Sequence, residues 1–263
     1  MDRRTVSIRN GMFTTPYLVG GSGRPLVFLH GAFGNQELPL YGKLAERFTV
    51  YAPWHPGWAP ESPDDLEHLD DVIDLALYYQ DFFEALGLER PVLVGHSLGG
   101  MFAAETAALC SPCVSRLVLI APMGLWREDA PIPDIFTMGP QQLVPLVWSD
   151  PESPMAQAML AQPDSVEEQN RRMLERQQSL AATGKFIWPI PDKGLKKRIH
   201  RVKAPTLLIW GEDDKLAPPV YAEDFRRAIP QSQLVMVPDA SNLVPVEQAD
   251  RVAEEIIKFA REE

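Results

Sequence analysis

The stretch Val92-Leu93-Val94-Gly95-His96-Ser97-Leu98-Gly99-Gly100-Met101 carries the densest structural signal in the chain. An apolar run leads into Gly-x-Ser-x-Gly, and an alanine-rich apolar run follows as far as residue 109. A buried strand that enters a tight turn and leaves directly into a helix is the setting in which this pattern presents a reactive serine. The tightness of the turn predicts a strained backbone at the serine. Gly95 and Gly99 leave room for the adjoining strand and helix. The hydroxyl is lifted above the carboxyl edge of a sheet, at the positive end of the following helix. Ser97 is therefore the candidate nucleophile.

Outward from this stretch the rhythm repeats. Residues 26–29, 48–52, 117–120, 207–210 and 234–237 are continuous apolar runs, as expected of strands buried on both faces. Helical patterns at 66–86, 98–109, 220–229 and 246–259 alternate with them. Alternation of this kind predicts an α/β fold with a mostly parallel sheet flanked by helices. Residues 5–9 and 13–19 alternate weakly before the turn cluster Gly20-Gly21-Ser22-Gly23-Arg24-Pro25, and read as an antiparallel hairpin at a sheet edge. Between residues 122 and 203 no strand pattern occurs. That interval is rich in proline, then helical at 154–161 and 165–183. It predicts a lid, residues 123–203, inserted into a core of residues 1–122 and 204–263. The aromatic residues Trp126, Phe136, Trp148 and Trp188 either pack the lid on the body or join Phe33 in lining an apolar substrate pocket.

Two further motifs bear chemistry. Leu26-Val27-Phe28-Leu29-His30-Gly31-Ala32-Phe33-Gly34 is a strand ending in a glycine-bearing loop. Amides of such a loop, Ala32 first and Phe33 next, can converge with the amide of Leu98 on a developing oxyanion. His30 and His96 are expected to brace their loops. Leu207-Leu208-Ile209-Trp210-Gly211-Glu212-Asp213-Asp214 is a strand ending in an acidic loop. A carboxylate there orients an imidazole, and Asp214 is preferred to Asp213.

These motifs, in this order, resemble the α/β-hydrolase family over nearly the whole chain. The resemblance implies a serine hydrolase, esterase-like, that acts through an acyl-enzyme on an ester, lactone or activated carbon–carbon bond of a moderately apolar small molecule. It also implies Asp214 as the triad acid and a histidine after the last strand. That segment reads Val237-Pro238-Asp239-Ala240-Ser241-Asn242-Leu243-Val244-Pro245-Val246-Glu247, and the histidine position holds Asn242. An amide takes up no proton near neutral pH, so Ser97 lacks a general base. Loss of a triad member leaves roughly 10³–10⁴-fold catalysis over water. None of His30, His55, His68, His96 or His200 follows a late strand, and His55 is expected to shape its own loop. Asn242 therefore marks either a disabled hydrolase or, alternatively, a non-catalytic protein that binds small ligands on a hydrolase scaffold.

The formal net charge of −11 argues against nucleic acid and against anionic membrane surfaces as partners. No apolar N-terminal run reads as a signal peptide, and a cytoplasmic protein is the expectation. Cys110 and Cys113 read as free, reduced thiols, which favours a reducing compartment. No metal cluster or nucleotide loop appears, and no cofactor is expected. Oligomeric state is not legible.

Overall fold

The computed structural model describes residues 1–190 and 192–261, with Met159 as backbone only. In chain order the elements are β1 (Asp2–Ile8), β2 (Phe13–Gly21), β3 (Arg24–Leu29), α1 (Pro39–Ala45), β4 (Phe48–Pro53), α2 (Val72–Ala85), β5 (Val92–His96), α3 (Leu98–Leu109) and β6 (Arg116–Ile120). After β6 come α4 (Pro140–Val147), α5 (Pro154–Leu160) and α6 (Val166–Ile187). The chain closes with β7 (Thr206–Gly211), α7 (Val220–Ala228), β8 (Ser232–Val237), α8 (Val244–Glu247) and α9 (Ala249–Arg261).

The strands form one sheet in the order β1-β2-β4-β3-β5-β6-β7-β8. β2 pairs antiparallel with β1 and with β4, and every other pairing is parallel. Side chains alternate across each strand, so each central strand feeds two cores. Val27, Leu29 and Leu93 face a core closed by α2, α3 and α7. Leu26, Phe28, Val92 and Val94 face the other, closed by α1, α8 and α9. Because both faces are covered, the central strands are apolar through their middles, with charged or polar residues only at their ends.

Some boundaries differ from the sequence expectation. The pattern at 66–86 breaks into a 3₁₀ turn, Pro63–His68, and α2. The Asp71 carboxylate accepts from the amides of Ile73 and Asp74, and this cap starts the helix at Val72. Gln248 likewise separates α8 from α9. α4 was hidden by its own prolines. Pro140 occupies the first turn, where no amide donor is needed, but Pro145 lies inside the helix. The expectation of free thiols is overturned: Cys110 and Cys113 form a disulfide. Pro112 does not keep them apart, because Ser111–Cys113 is a short 3₁₀ turn that brings their Cα atoms to 5.4 Å. The thiol argument for a reducing compartment falls with it. No helix among the described residues is long and apolar enough to cross a membrane.

The helical region between β6 and β7 is fastened to the sheet at several points. The Thr183 hydroxyl donates to the Ala32 carbonyl at 3.1 Å, and the Gln178 amide donates to the carbonyls of Gly57 and Ala59. Phe186 stacks on Trp58. The exit from α4 meets the segment before α8: the Leu243 amide donates to the Val147 carbonyl, and the Ser241 hydroxyl to that of Leu146. At the far end Arg198 binds Glu105 of α3 through two bonds of 2.7 Å, and Glu105 is fully buried.

Gly99 shows how tightly the centre is packed. A Cβ there would run into the carbonyl oxygens of Leu29 and His30. Gly99→Ala is therefore expected to lower unfolding free energy by about 3 kcal/mol or more, measured by urea denaturation. Gly42→Ala, on a helix with nothing within 4 Å of the added carbon, is expected to be neutral or stabilising by up to about 1 kcal/mol.

Candidate active site

The site is assembled from four chain crossings at the carboxyl edge of the sheet. Ser97 joins β5 to α3 with φ +52° and ψ −114°, a conformation that costs of order 1–3 kcal/mol outside glycine. Its neighbours hold it there. The Ser97 amide donates to the Ile120 carbonyl at 2.9 Å, and its carbonyl accepts from the amides of Gly100, Met101 and Met123. The residue is 5% exposed.

The loop after β3 passes against the serine. A Cβ on Gly31 would sit 3.7 Å from that of Ser97. The Ala32 carbonyl is turned away, accepting from the Trp58 indole at 3.0 Å and from Thr183. The amides of Ala32 and Leu98 donate to no described residue. The amide of Leu98 also lies in the first turn of α3, where the helix dipole favours negative charge.

The histidines near this loop are committed elsewhere. His30 and His55 stack at 3.7 Å. The His55 amide donates to His30 Nε2, which leaves His30 Nδ1–H to donate to the Gly31 carbonyl at 2.7 Å. His55 Nε2–H donates to the His30 carbonyl, and its Nδ1 accepts from the Tyr79 hydroxyl. Burial lowers the His30 pKa to about 3 and carries that of His55 well below the ordinary value. Both rings are neutral struts with every nitrogen engaged. His96 Nε2–H donates to the Asn242 carbonyl at 2.8 Å, and burial lowers its pKa to about 4. The residue before the serine thus ties down the backbone of residue 242.

Asn242 and Asp214 meet directly. Asn242 Nδ2 donates to Asp214 Oδ2 at 3.0 Å, while Asp214 Oδ1 accepts from the amides of Leu216 and Ala217. Both side chains are buried. Burial lifts the Asp214 pKa to about 7, although the three donors pull the other way. Asp213 instead accepts from the Ser149 hydroxyl beyond α4. Glu247 accepts the amides of Ser241 and Ser149, each at 2.8 Å, so one carboxylate joins the residue-242 loop to the helical region.

The aromatic residues are dispersed. Trp126 lines an apolar cavity of about 20 Å³ together with Met101, Met123, Ile132 and Ile187. That volume holds roughly one water. Phe33 lies under the Arg176 guanidinium, Phe136 meets Trp188 edge to face, and Trp188 is half-exposed. Trp148 is buried as the cap of α4. The sequence reading passed over Met101 and Met123, although Met101 stands one helical turn beyond Ser97. The tie from His96 to the residue-242 backbone spans 146 positions, and no local pattern announces it.

Comparison with known proteins places the chain. A sequence model of the alpha/beta hydrolase family matches residues 26–255, and the chain belongs to that family. It is 25% identical to a pimeloyl-(acyl-carrier protein) methyl ester esterase of Vibrio cholerae, over 92% of this chain and 96% of that one. It is 26% identical to the 2-hydroxy-6-oxo-6-(2'-aminophenyl)hexa-2,4-dienoic acid hydrolase of Metapseudomonas resinovorans, over 96% and 89% of the two chains. Among solved structures, naproxen esterase from Bacillus subtilis superposes with a TM-score of 0.74 at 18% identity, covering 99% of this chain and 91% of that one.

The elevated Asp214 pKa has a testable sign. The folded chain holds that proton more tightly than the unfolded one, whose carboxyl titrates near 3.8. Its contribution to stability is present below about pH 4 and is lost as pH rises through about 7. Relative to Asp214→Asn, the unfolding free energy is expected to fall over that window by up to about 4 kcal/mol. Carbon-13 NMR of the carboxyl is expected to give a midpoint near 7. In Asn242→His the midpoint should move down, because an imidazolium favours the ionised form.

Proposed function

We propose that the chain is a serine hydrolase of the esterase type, with Ser97 as nucleophile and with its proton relay interrupted at residue 242. The observation that carries this reading is the Asn242 amide on Asp214 Oδ2, a position suited to an imidazole N–H. In the complete cycle Ser97 Oγ attacks the substrate carbonyl, and an imidazole at 242 removes the hydroxyl proton. Asp214 holds the ring and stabilises its cation. The amides of Ala32 and Leu98 bind the oxyanion, the ester C–O bond breaks as the imidazolium returns its proton to the leaving alkoxide, and water, deprotonated by the same imidazole, then releases the acyl group from Ser97. In the present chain that proton has no side-chain acceptor, and turnover rests on the oxyanion donors and binding alone. Residues 123–203 act as a lid, with Trp126 beside the acyl group and Phe33, Phe136, Trp148 and Trp188 shaping the lid and its entrance. Relatives named as a methyl ester esterase and as a hydrolase of a dienoic acid support ester or activated carbon–carbon bonds as the substrate class.

A second reading is a non-catalytic small-ligand receptor. It draws on the same bond, because Asn242 satisfies the buried carboxylate without any proton acceptor. Asn242→His separates the two. The hydrolase reading expects kcat on short-chain esters to rise at least ~10³-fold, with the gain abolished by Ser97→Ala. A folded Asn242→His variant that stays inert across a panel of esters, lactones and vinylogous diketones would contradict it.

A further inference from the structure

At the opposite, amino edge of the sheet lies a second feature that the hydrolase chemistry does not use. An open cavity of about 560 Å³ is lined there by Arg24, Arg90 and Arg116, with Phe259 of α9 behind them. Arg24 begins β3, Arg90 precedes β5, and Arg116 begins β6. These strands are neighbours in the sheet, so parallel pairing brings the guanidinium-bearing ends side by side. On a chain of net charge −11, this is a local concentration of positive charge.

Among the described residues the cluster is unneutralised. No ion pair among the described residues involves Arg24, Arg90 or Arg116, and the one acid lining the cavity, Glu89, pairs with none of them. Arg24 reaches only the Ala260 carbonyl, at 3.4 Å, and the Arg116 guanidinium lies 5.3 Å over the Phe259 ring. Buried polar atoms without partners gather at the same place. Arg116 Nε and Ser115 Oγ, both on lining residues, make no hydrogen bond among the described residues, while Ser232 Oγ, at the head of β8, is another such atom on a residue outside the lining. Trp148 Nε1 is the fourth such atom, and it lies elsewhere. Buried donors are normally satisfied, and a concentration of orphans beside clustered guanidinium groups calls for an acceptor.

We propose that this cavity binds a small molecule bearing a phosphate or diphosphate group, whose oxygens take up Arg116 Nε and the Ser115 hydroxyl while Arg24 and Arg90 neutralise its charge. Planar guanidinium groups match phosphate geometry through paired N–H donors. The site is independent of Ser97. β5 carries the chain from one to the other through Val92–His96, about 17 Å at the usual rise per strand residue.

The test is isothermal titration of the full chain with inorganic pyrophosphate and with inorganic phosphate at low ionic strength. Saturable one-to-one binding is expected, weakened at least about tenfold by Arg116→Gln and by Arg24→Gln, for loss of a charge-assisted contact. Arg251→Gln removes a guanidinium paired with Glu255 elsewhere and is expected to leave the affinity unchanged. Arg24 is exposed, so its variant tests the site even where Arg116→Gln fails to fold. No saturable binding, or binding that neither substitution weakens, would overturn the proposal.

Discussion

The architecture hangs on a steric exclusion. β5 turns into α3 within a single residue, and that residue is a serine at φ +52°. The turn closes only because a Cβ is missing on both sides of it. A methyl on Gly95 would strike the Gly99 carbonyl, and one on Gly99 would strike the carbonyls of Leu29 and His30. With those contacts empty, α3 lies against both β5 and β3, and the loop after β3 is drawn alongside the serine. The amides of Ala32 and Leu98 are left without partners among the described residues as a result of the same packing. The placement of Ser97 and of the amides proposed as oxyanion donors thus follows from one close approach.

The remaining parts of the site are positioned by buried polar groups rather than by sterics. His30 and His55 are neutral, packed ring against ring and fully engaged, so they set the shape of the loop after β3 instead of titrating. His96 reaches across to the carbonyl of residue 242, and Glu247 joins the same loop to the segment beyond α4. Asp214 is the exposed nerve of this arrangement. It has three N–H donors and no cation, and burial holds its pKa near 7. An asparagine partner satisfies its geometry but leaves its charge uncompensated.

Much of this was legible in the residues, for reasons that can be named. Apolar runs at β3, β5, β6 and β7 mark strands covered on both faces, and a glycine on each side of Ser97 marks the elbow. The pairing of Asp214 with residue 242 was implied by the resemblance to the α/β-hydrolase family, and the two side chains do meet. What was missed has equally physical causes. Prolines concealed α4, because a first-turn proline is tolerated and one interior proline was absorbed. The Cys110–Cys113 bond carries no signal in a spacing of three around a proline, and only the short turn at Ser111–Cys113 brings the two sulfurs together. The His96 and Glu247 ties run through backbone groups, which carry no residue signature. The amino-edge arginines are far apart in the chain, and only the parallel pairing of their strands gathers them.

The most direct measurement is a crystal structure of the Asn242→His chain after reaction with a fluorophosphonate ester. The expected result is phosphorus bonded to Ser97 Oγ, its free oxygen accepting from the amides of Ala32 and Leu98, and the new imidazole between Ser97 and Asp214. Phosphorus on another residue, or a free oxygen pointing away from those amides, would contradict the assignment of nucleophile and oxyanion site alike.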